Sequence, residues 1–459
     1  MITKDFLNNI SDKRICVLGM GISNFPLIRF LLGKGAADIT VIDKNDKTEM
    51  LEKEGLSLKT VFGENYLSAL ADNNFDVIFK TPVVRYDLPE IQDAVSRGAL
   101  LTSEMEVFLN LCPGKIFAVT GSDGKTTTTT LTYLFLKAYA EKIGVNAFVG
   151  GNIGTPLLPR LDEMTEKDFV IVELSSFQLM NMHAAVDVAV VTNITPNHLD
   201  VHKSYEEYID AKKQIFENAT VTVLNDDNDV TKSLENEIKG ELRVFSRKHS
   251  VKNGAYFTDG NVRTTNGDIL PRNGIKLPGN HNVENYMAAI CAVMNIVPFD
   301  IILKTAAEFG GVEHRLEFVR ELDGVKYYNS SIDSSPNRTI NALSVFDKKN
   351  IVLIAGGKDK GIPYDALGPA ICDKVKAMIL TGPTAKLIEK SALDEFSKRG
   401  KEPDLKIIYA CNYQEAVPAA KAEAEAGDIV LLSPASTSFD MFKNFEERGN
   451  IFKNLVINL

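Results

Sequence analysis

A run of glycine, lysine and threonine between an apolar strand and a helix constrains the fold of this chain most. The preceding residues, KIFAVT, read as a short buried strand, and the following residues, TTTTLTYLFLKAYA, as a helix with an apolar face. Unsatisfied N–H groups at a helix N-terminus, aided by the helix dipole, form an anion site. The turn Gly121-Ser-Asp-Gly124-Lys125-Thr126 therefore predicts a phosphate cradle, although Ala118 stands at the outer glycine of the longer phosphate-loop pattern. The alternative is an ordinary glycine turn with an exposed lysine.

Strand-like apolar runs alternate with helix-like stretches along the whole chain, a pattern typical of α/β folds with parallel sheets. The pattern begins again after Pro113 and near Gly310, and a chain of 459 residues suggests about three domains. The sequence therefore predicts three α/β domains, at residues 1–112, 113–310 and 311–459. The first and third are expected to be Rossmann-like, and the second to carry the phosphate loop.

Composition excludes several classes of function. The net charge is −10 and no basic tract stands out, which argues against nucleic acid as a partner. No apolar run reaches membrane-spanning length, and the N-terminus lacks a signal-peptide pattern. The five cysteines form no CxxC pair, so neither a zinc site nor a disulfide framework is indicated. We expect a cytoplasmic protein with no membrane partner.

The start of the first domain resembles a weak dinucleotide fingerprint. Gly19-x-Gly21 follows the first predicted strand, Asn24 takes the third glycine position, and Asp43 ends the next strand, where such folds contact a ribose. A dehydrogenase would show this pattern, and so would a domain that holds a different nucleotide diphosphate. A turn required only by packing is the third interpretation.

Polar residues follow two buried strands of the central domain. Glu173 ends FVIVELSS, where a carboxylate beside a phosphate loop is a natural Mg²⁺ ligand, or alternatively an acid near a helix N-terminus. The segment NITPNHLDVH supplies His198 and His202, but it lacks the glutamate of an HExxH zinc motif. We interpret His198 as lying near the phosphates and His202 as structural.

Lys212 occupies the middle of an apolar helix face. Ser204-x-x-Glu207 predicts the start of this helix, and Tyr205 and Tyr208 share the face with Lys212. Either the lysine snorkels to the surface or it is functional. In the functional interpretation burial lowers its pKa, so that the neutral amine can react with CO₂ and the carbamate can supply oxygen ligands to a metal.

Further polar residues follow later strands or open later helices. Asn282 and Asn285 open an apolar helix, where they can read an adenine edge or cap the helix. Arg315 comes where the third domain begins, Lys360 follows one buried strand, and Ser438 and Phe445 follow another. Each of these signals alone is weak, but the residues share a location after predicted strands, where ligands of α/β sheets bind.

The ordered motifs resemble those of the Mur ligases of bacterial cell-wall synthesis, over essentially the whole chain. The motifs are VTGSDGKTTTT, GNIGTP, ELSSFQL, TNITPNHLDVH, YIDAKKQIF, GNHNVENYMAA, EHRLEF and LLSPASTSFDMFKNFEERG. They are most similar to the branch of the family that adds D-glutamate. The resemblance implies a UDP-binding first domain, a central ATPase-like domain and a third domain for the amino acid. It also implies a monomer that uses ATP, Mg²⁺, D-glutamate and UDP-N-acetylmuramoyl-L-alanine, and that works through an acyl phosphate.

The resemblance also assigns site residues. The nucleotide-sugar group is Gly19, Ser23, Asp43, Thr81, Asn152, Ser175 and Gln178. The ATP group is Gly121, Ser122, Asp123, Gly124, Lys125, Thr126, Thr127, Asn282, Asn285 and Arg315. The amino-acid group is Ser334, Lys360, Ser438 and Phe445. The metal group is Thr126, Glu173, His198 and carbamylated Lys212, and the catalytic group is Lys125, His198, Lys212 and Lys360.

Three residues depart from the family pattern. Ser330 stands in place of an aspartate, Ile332 in place of a frequent lysine, and Val83 in place of a glycine beside the nucleotide. Asp333 and Arg338 are the nearby candidates to compensate for the first two. These changes predict a slower or altered ligase.

Three other functions stay open beside the ligase. The first is a ligase of the same fold with another acceptor, which the GxG turn of the first domain disfavours. The second is a catalytically impaired binding homologue, which Ser330 favours and the intact Lys125, Glu173, His198 and Lys212 disfavour. The third is a nicotinamide dehydrogenase, which would leave the phosphate loop without a purpose.

Overall fold

The computed structural model describes residues 4–21, 24–183, 185–198 and 201–459. Within these ranges the chain forms three β-sheets with connecting helices, and the predicted α/β class is confirmed. The chain divides into two compact units, residues 1–272 with 283–306, and residues 273–282 with 307–459. The first unit holds two sheets and the second unit one. The domain boundaries proposed from the sequence stay predictions.

The first sheet is parallel, with strand order β3-β2-β1-β4-β5. Its strands are β1 Arg14–Leu18, β2 Asp38–Asp43, β3 Lys59–Phe62, β4 Val77–Lys80 and β5 Leu100–Thr102. Its helices are α1 Lys4–Asn8, α2 Asn24–Gly33, α3 Thr48–Lys53, α4 Ser68–Asp72, α5 Pro89–Ser96 and α6 Glu104–Leu111. The strand order reverses between β1 and β4, and ligands of open α/β sheets bind beyond the strand ends at such a point.

The second sheet has the order β14-β13-β12-β11-β10-β9-β6-β8-β7. It is parallel from β7 to β12 and antiparallel from β12 to β14. Its strands are β6 Lys115–Thr120, β7 Ala147–Gly151, β8 Phe169–Glu173, β9 Val188–Val191, β10 Val221–Asn225, β11 Glu241–Ser246, β12 Gly254–Thr258, β13 Asn261–Thr264 and β14 Ile269–Pro271. The accompanying helices are α7 Lys125–Ile143, α8 Ser176–Leu179, α9 Tyr205–Lys213, α10 Asp229–Ser233, α11 Asn280–Val293 and α12 Phe299–Glu308.

The third sheet has the order β15-β16-β20-β17-β18-β19 and is parallel except for the β15–β16 pair. Its strands are β15 Glu317–Leu322, β16 Val325–Asn329, β17 Ile351–Gly356, β18 Val375–Thr381, β19 Lys406–Tyr409 and β20 Ile429–Leu432. Its helices are α13 Pro336–Ser344, α14 Leu367–Lys374, α15 Ala385–Lys398, α16 Tyr413–Glu423 and α17 Phe445–Ile457.

Apolar cores explain why the first two sheets form one unit. One continuous hydrophobic cluster includes Val17 and Phe79 of the first sheet and Ala118 and Val172 of the second. The third sheet is covered on both faces. Successive residues of β17, such as Leu353 and Ile354, point to opposite faces of the sheet and lie in two different hydrophobic clusters. In the part of the chain that the structure describes, no helix combines the length and apolar character needed to cross a bilayer.

Candidate active site

The predicted phosphate cradle connects β6 to α7. Gly121 has a φ of 150° and Gly124, the residue that precedes the helix, has a φ of 77°. A Cβ atom at Gly121 would collide with the Thr192 hydroxyl, and one at Gly124 would collide with the Asn285 amide. Both positions therefore require glycine, for backbone conformation and for space.

Residues at the end of β9 hold the cradle in shape. The Asp123 N–H donates to Asn193 Oδ1 over 2.9 Å, and the Thr192 hydroxyl donates to the Asp123 carbonyl over 2.6 Å. The Ser122 hydroxyl donates to the Thr195 carbonyl over 2.9 Å. The loop is thus fixed by the protein's own hydrogen bonds, as a preorganised anion site requires.

Lys125 folds back over this loop from the first turn of α7. Its ammonium donates to the carbonyl oxygens of Gly121 and Ser122, at 2.9 and 3.0 Å. Thr126 and Thr127 follow it in the same turn and are partly buried. The positive charge therefore lies at the helix N-terminus, where an anion is already favoured.

Lys212 lies under the same loop, inside the protein. Its side chain is 1% exposed, and its ammonium donates to the Gly121 carbonyl over 2.7 Å and to the Thr120 hydroxyl over 3.3 Å. The nitrogen also lies 4.7 Å from the centre of the Tyr208 ring. Because the head group does not reach water, the snorkelling interpretation is wrong.

Burial, and after it the neighbouring charge of Lys125, lower the pKa of Lys212 to about 6, whereas Asp123 and Glu173 oppose the change. A buried amine with a pKa in this range is largely neutral near pH 7. A neutral amine is the form that reacts with CO₂.

Glu173 ends β8 beside the cradle and is 1% exposed. Its Oε1 atom accepts a hydrogen bond from the Asn152 amide over 2.8 Å, while its buried Oε2 atom has no hydrogen-bond partner among the residues that the structure describes. An unpaired carboxylate oxygen in a buried site is costly unless a cation neutralises it. Glu173 therefore fits a divalent cation, and Mg²⁺ prefers such oxygen ligands.

The two histidines occupy different environments. His198 is exposed, has a φ of 55° and lies before α9, with its ring 5.1 Å from that of Phe177. His202 is buried, its Nε2 atom lies 2.9 Å from the Ser176 hydroxyl, and its ring stacks on Phe177. Among the residues that the structure describes, no three His, Cys, Asp or Glu side chains cluster as a metal site. A metal here would therefore need other ligands as well, such as hydroxyls or phosphate oxygens.

The nucleotide-sugar candidates of the first domain meet where the strand order reverses. Gly19 has a φ of 84°, and Thr81 packs so closely that a Cβ at Gly19 would collide with its methyl group. The Asp43 carboxylate accepts hydrogen bonds from the N–H groups of Met20 and Asn45, at 2.7 and 2.8 Å. Asp43 thus orders the glycine turn. Ser23 lies outside the described residues.

The remaining nucleotide-sugar candidates follow β7 and β8. Asn152 bonds Glu173, as described above, and so ties this group to the metal candidate. Ser175 and Gln178 form a reciprocal capping box at the short helix α8, with Gln178 Oε1 accepting from the Ser175 N–H and hydroxyl, each at 3.0 Å. The pair is therefore ordered by local hydrogen bonds.

The ATP candidates Asn282, Asn285 and Arg315 divide between the two units. Asn285 lies in the first unit against Gly124, and its Oδ1 atom accepts from the Thr128 hydroxyl over 3.4 Å. Asn282 and Arg315 lie in the second unit, where the Asn282 amide donates to the Pro278 carbonyl over 2.6 Å. The structure therefore brings Asn285 to the phosphate cradle within one unit.

Two of the three departures from the family pattern, Ser330 and Ile332, lie at the carboxyl end of β16. Ser330 is 2% exposed, and its hydroxyl oxygen accepts from the Leu316 N–H over 3.1 Å. Burial raises the pKa of Asp333 to about 6, although hydrogen bonds from Ser330 and Ser433 act in the opposite direction. The Arg338 guanidinium donates to the Ile332 carbonyl over 3.0 Å. An acid and a cation therefore lie beside the two altered positions.

Two loops of the third sheet carry two of the four amino-acid candidates, Lys360 and Ser438. The Lys358 N–H donates to the Thr437 carbonyl over 2.9 Å, a bridge that joins the loop of Lys360 to the loop of Ser438. Phe445 begins α17, and its carbonyl accepts from the Ser331 hydroxyl over 2.7 Å. Ser334 lies in the turn before α13, where its N–H donates to the Ile332 carbonyl over 2.8 Å.

Sequence reasoning missed two arginines that order loops, one in each unit. Arg448 is 1% exposed and donates to the Ser331 carbonyl over 2.7 Å and to the Ser436 carbonyl over 3.1 Å. Arg85 bonds Asp87 and Glu207 in the first unit. An arginine in a polar motif such as FEERG carries no periodic signal that would mark it as buried.

Three domain matches agree with this arrangement. Residues 13–103 match the Mur ligase MurD-like N-terminal domain, residues 119–293 the Mur ligase middle domain, and residues 314–436 the Mur ligase glutamate ligase domain. The chain belongs to the Mur ligase family.

Curated relatives match over nearly their whole length. Proteins named UDP-N-acetylmuramoylalanine–D-glutamate ligase from Ruminiclostridium cellulolyticum and Clostridium acetobutylicum are 54% and 50% identical. These matches cover 99% of this chain in both cases, and 99% and 98% of the relatives.

Solved structures are similar in fold. The UDP-N-acetylmuramate-alanine ligase of Thermotoga maritima has a TM-score of 0.56 at 20% identity, over 97% of this chain and 99% of that chain. A pseudomurein peptide ligase type C from Methanothermus fervidus has a TM-score of 0.51 at 18% identity, over 97% of this chain and 100% of that chain.

Proposed function

We propose that this chain is an ATP-dependent ligase that joins D-glutamate to UDP-N-acetylmuramoyl-L-alanine in the synthesis of peptidoglycan precursors. The observation that carries the proposal is the convergence of Lys125, Lys212 and Glu173 on one glycine cradle. Relatives with the name of this enzyme, at 47–54% identity over nearly the whole chain, support the choice of D-glutamate as the acceptor.

The reaction requires two transfers. An oxygen of the L-alanine carboxylate attacks the γ-phosphorus of ATP, ADP leaves, and an acyl phosphate forms. The amine of D-glutamate then attacks the carbonyl carbon, loses a proton, and inorganic phosphate leaves from the tetrahedral intermediate. Catalysis of this kind rests mainly on positioning and on neutralising phosphate charge.

The cradle provides both effects. The N–H groups of residues 124–127, at the start of α7, and the ammonium of Lys125 would bind the phosphates of ATP, because the N–H groups of Ser122 and Asp123 already donate to Asn193. The two carbonyl hydrogen bonds of Lys125 hold its ammonium at the loop before a phosphate enters. Asn285 of α11 lies against Gly124, beside the same loop, and its side chain would contact the bound nucleotide.

Glu173 would hold Mg²⁺ through its unpaired Oε2 atom, together with Thr126, His198 and, when carbamylated, Lys212. Bound Mg²⁺ supplies charge neutralisation of the phosphate oxygens. Carbamylation would convert the buried amine of Lys212 into an anion, and the low pKa of the amine favours the neutral form that this step needs.

The other two groups would receive the substrates. Gly19, Asp43 and Thr81 would bind the nucleotide sugar at the crossover point of the first sheet, with Asn152, Ser175 and Gln178 toward its reactive end. Lys360, Ser438, Phe445 and Ser334 would receive D-glutamate, and Arg338 would supply the cation that Ile332 cannot. Val83 is 77% exposed, and its backbone φ is not positive, so this position does not need the conformational freedom of glycine.

Phosphate release tests this function. We expect purified protein with ATP and Mg²⁺ to release phosphate only when both UDP-N-acetylmuramoyl-L-alanine and D-glutamate are present. If phosphate is released with another amino acid and not with D-glutamate, that amino acid is the acceptor. If the protein binds ATP and the nucleotide sugar but releases no phosphate with any amino acid, it is a catalytically impaired binding homologue.

A further inference from the structure

Arg85 connects the first domain to the helix that carries Lys212. It lies four residues beyond Thr81, in the loop that follows β4. Its guanidinium makes a two-pronged contact with Asp87, from Nε to Oδ1 over 2.8 Å and from Nη2 to Oδ2 over 2.9 Å. Asp87 therefore fixes the direction in which the guanidinium points.

The same guanidinium contacts the central domain with its other N–H groups. Nη2 donates to Glu207 Oε1 over 2.6 Å, while Nη1 donates to Glu207 Oε2 over 3.1 Å and to the Val201 carbonyl over 2.9 Å. All five N–H donors of Arg85 are thus used, which a lysine at this position could not reproduce.

Glu207 belongs to α9, the helix that also contacts the cradle. It lies in the first turn of the helix, next to Tyr208, whose hydroxyl is 2.9 Å from the Ser122 hydroxyl. Lys212, near the end of the same helix, donates to the Gly121 carbonyl. One short helix therefore contacts Arg85 at its start and the phosphate cradle along its length.

The contact is partly shielded from water. The side chains of Arg85, Asp87 and Glu207 are 19%, 21% and 20% exposed. Glu207 also accepts from the Lys203 N–H over 2.7 Å, and the ammonium of Lys203 pairs with Asp87. Loss of Arg85 would leave the Asp87 and Glu207 carboxylates facing each other across the domain boundary, beside the ammonium of Lys203 and the ring of His202.

We propose that Arg85 is a positioning residue that couples occupancy of the nucleotide-sugar loop, residues 81–87, to the affinity of the cradle for ATP. The inference rests on the proposed function, because it assumes that the loop and the cradle bind these two ligands. Binding that tightens the 81–87 loop would fix α9 through Glu207, and α9 would fix the cradle through Tyr208 and Lys212. By linkage, ATP would tighten the sugar site by the same factor.

An ion pair with a purely structural role is the alternative, and the chain offers a control for it. Lys34 of the first domain pairs with Asp162 of the central domain at 3.2 Å, and neither residue has a described contact with α9 or the cradle. Removal of Lys34 also deletes a charge pair between the two domains, but it should leave the coupling intact.

The test measures coupling at equilibrium in the full-length protein. The dissociation constant of a non-hydrolysable ATP analogue with Mg²⁺ is determined by calorimetry, with and without UDP-N-acetylmuramoyl-L-alanine. We expect the sugar to tighten ATP binding roughly 5- to 100-fold in the unmodified protein and in Lys34→Ala. We expect Arg85→Ala to reduce this factor to within about 2-fold of unity, and Arg85→Lys to give an intermediate factor.

Hydrogen exchange of the unliganded protein gives a second measurement that does not depend on catalysis. Amides of residues 205–213 should exchange faster in Arg85→Ala than in Lys34→Ala, while those of the third sheet should not change. Full coupling in Arg85→Ala, or equal loss in Arg85→Ala and Lys34→Ala, would overturn the inference. If the unmodified protein binds both the ATP analogue and the nucleotide sugar but shows no coupling between them, the inference is wrong and the proposed function stands. If it does not bind the nucleotide sugar, both the proposed function and the inference are wrong.

Discussion

The ammonium nitrogen of Lys212 lies 2.7 Å from the carbonyl oxygen of Gly121, in a side chain that is 1% exposed. A second ammonium, that of Lys125, lies 2.9 Å from the same carbonyl. Two lysines thus share one acceptor at the loop expected to bind phosphate. Their mutual repulsion is part of the reason why the pKa of Lys212 falls, after the larger effect of burial.

Stability should rise with pH because of Lys212. Its pKa is about 6 in the folded protein and near its ordinary value of 10.5 in the unfolded chain, so the unfolded state binds one more proton between these values. Within that window the free energy of unfolding gains at most about 1.4 kcal/mol per pH unit from this group. We expect Lys212→Met to raise the melting temperature at pH 7 and to remove this gain between pH 7 and 9. Lys213→Met, on the same helix, is the control, and equal slopes in both variants would contradict the prediction.

Lys125→Ala should weaken binding of ATP with Mg²⁺ by at least about 10-fold, because the variant loses the cation at the helix N-terminus. Calorimetric titration measures the change. Lys137→Ala removes an exposed lysine from the same helix and should bind ATP normally. An unchanged affinity in Lys125→Ala would mean that the phosphates bind elsewhere.

The sequence predicted the parts of this site that local chemistry determines. The glycines of the cradle follow from a strand, a turn and a helix that are adjacent in the chain. The periodicity of one helix placed Lys212 on an apolar face but left open whether its ammonium reaches water. Asp43 was predicted to contact a ribose, and its local role, to accept the N–H groups of Met20 and Asn45, appeared only in the structure.

Contacts between distant residues could not be predicted in this way. Ser122 and Tyr208 are 86 residues apart, and Arg85 and Glu207 are 122 apart. Their pairing depends on the order of strands in two sheets and on the packing of one sheet against another, which no local pattern encodes. The antiparallel extension β12–β14 was missed for a related reason, since its short strands alternate weakly.

Glu173→Gln should raise the Mg²⁺ concentration needed for half-maximal phosphate release by about 10-fold or more. The substitution keeps the volume and a carbonyl oxygen for Asn152 but removes the negative charge of the unpaired Oε2 atom. Glu104→Gln is the matched control, because Glu104 is also buried and also has a carboxylate oxygen without a hydrogen-bond partner in the described part of the chain. The prediction fails if the two variants need the same Mg²⁺ concentration.

Asp333 should make the protein less stable as pH rises. Its pKa is about 6 when folded and near 3.8 when unfolded, so the folded state holds an extra proton between these values and stability falls across this window. Asp333→Asn should therefore unfold at a higher temperature than the parent at pH 7, and the difference should shrink at pH 5. Asp394→Asn, an exposed substitution in the same domain, should show no such difference between the two pH values. A pH-independent effect of Asp333→Asn would show that lost hydrogen bonds outweigh the charge.

Ser330→Asp tests whether the altered motif can simply be restored to the family pattern. Ser330 lies near enough to Asp333 to lower the pKa of its carboxyl, and its hydroxyl oxygen accepts from the Leu316 N–H, so an aspartate at position 330 would place a second carboxyl in the same buried site. Two such groups cannot both ionise without a large cost, and one pKa must rise strongly. We expect Ser330→Asp to unfold at a lower temperature than the parent at pH 7.5, with much of the loss recovered at pH 5.5. Ser330→Asp combined with Asp333→Ser keeps a single acid at the family position and should regain stability at pH 7.5, with phosphate release at least equal to that of the parent. If Ser330→Asp alone shows the parent's melting temperature at both pH values, Asp333 does not share a site with residue 330, and its role as the compensating acid is wrong.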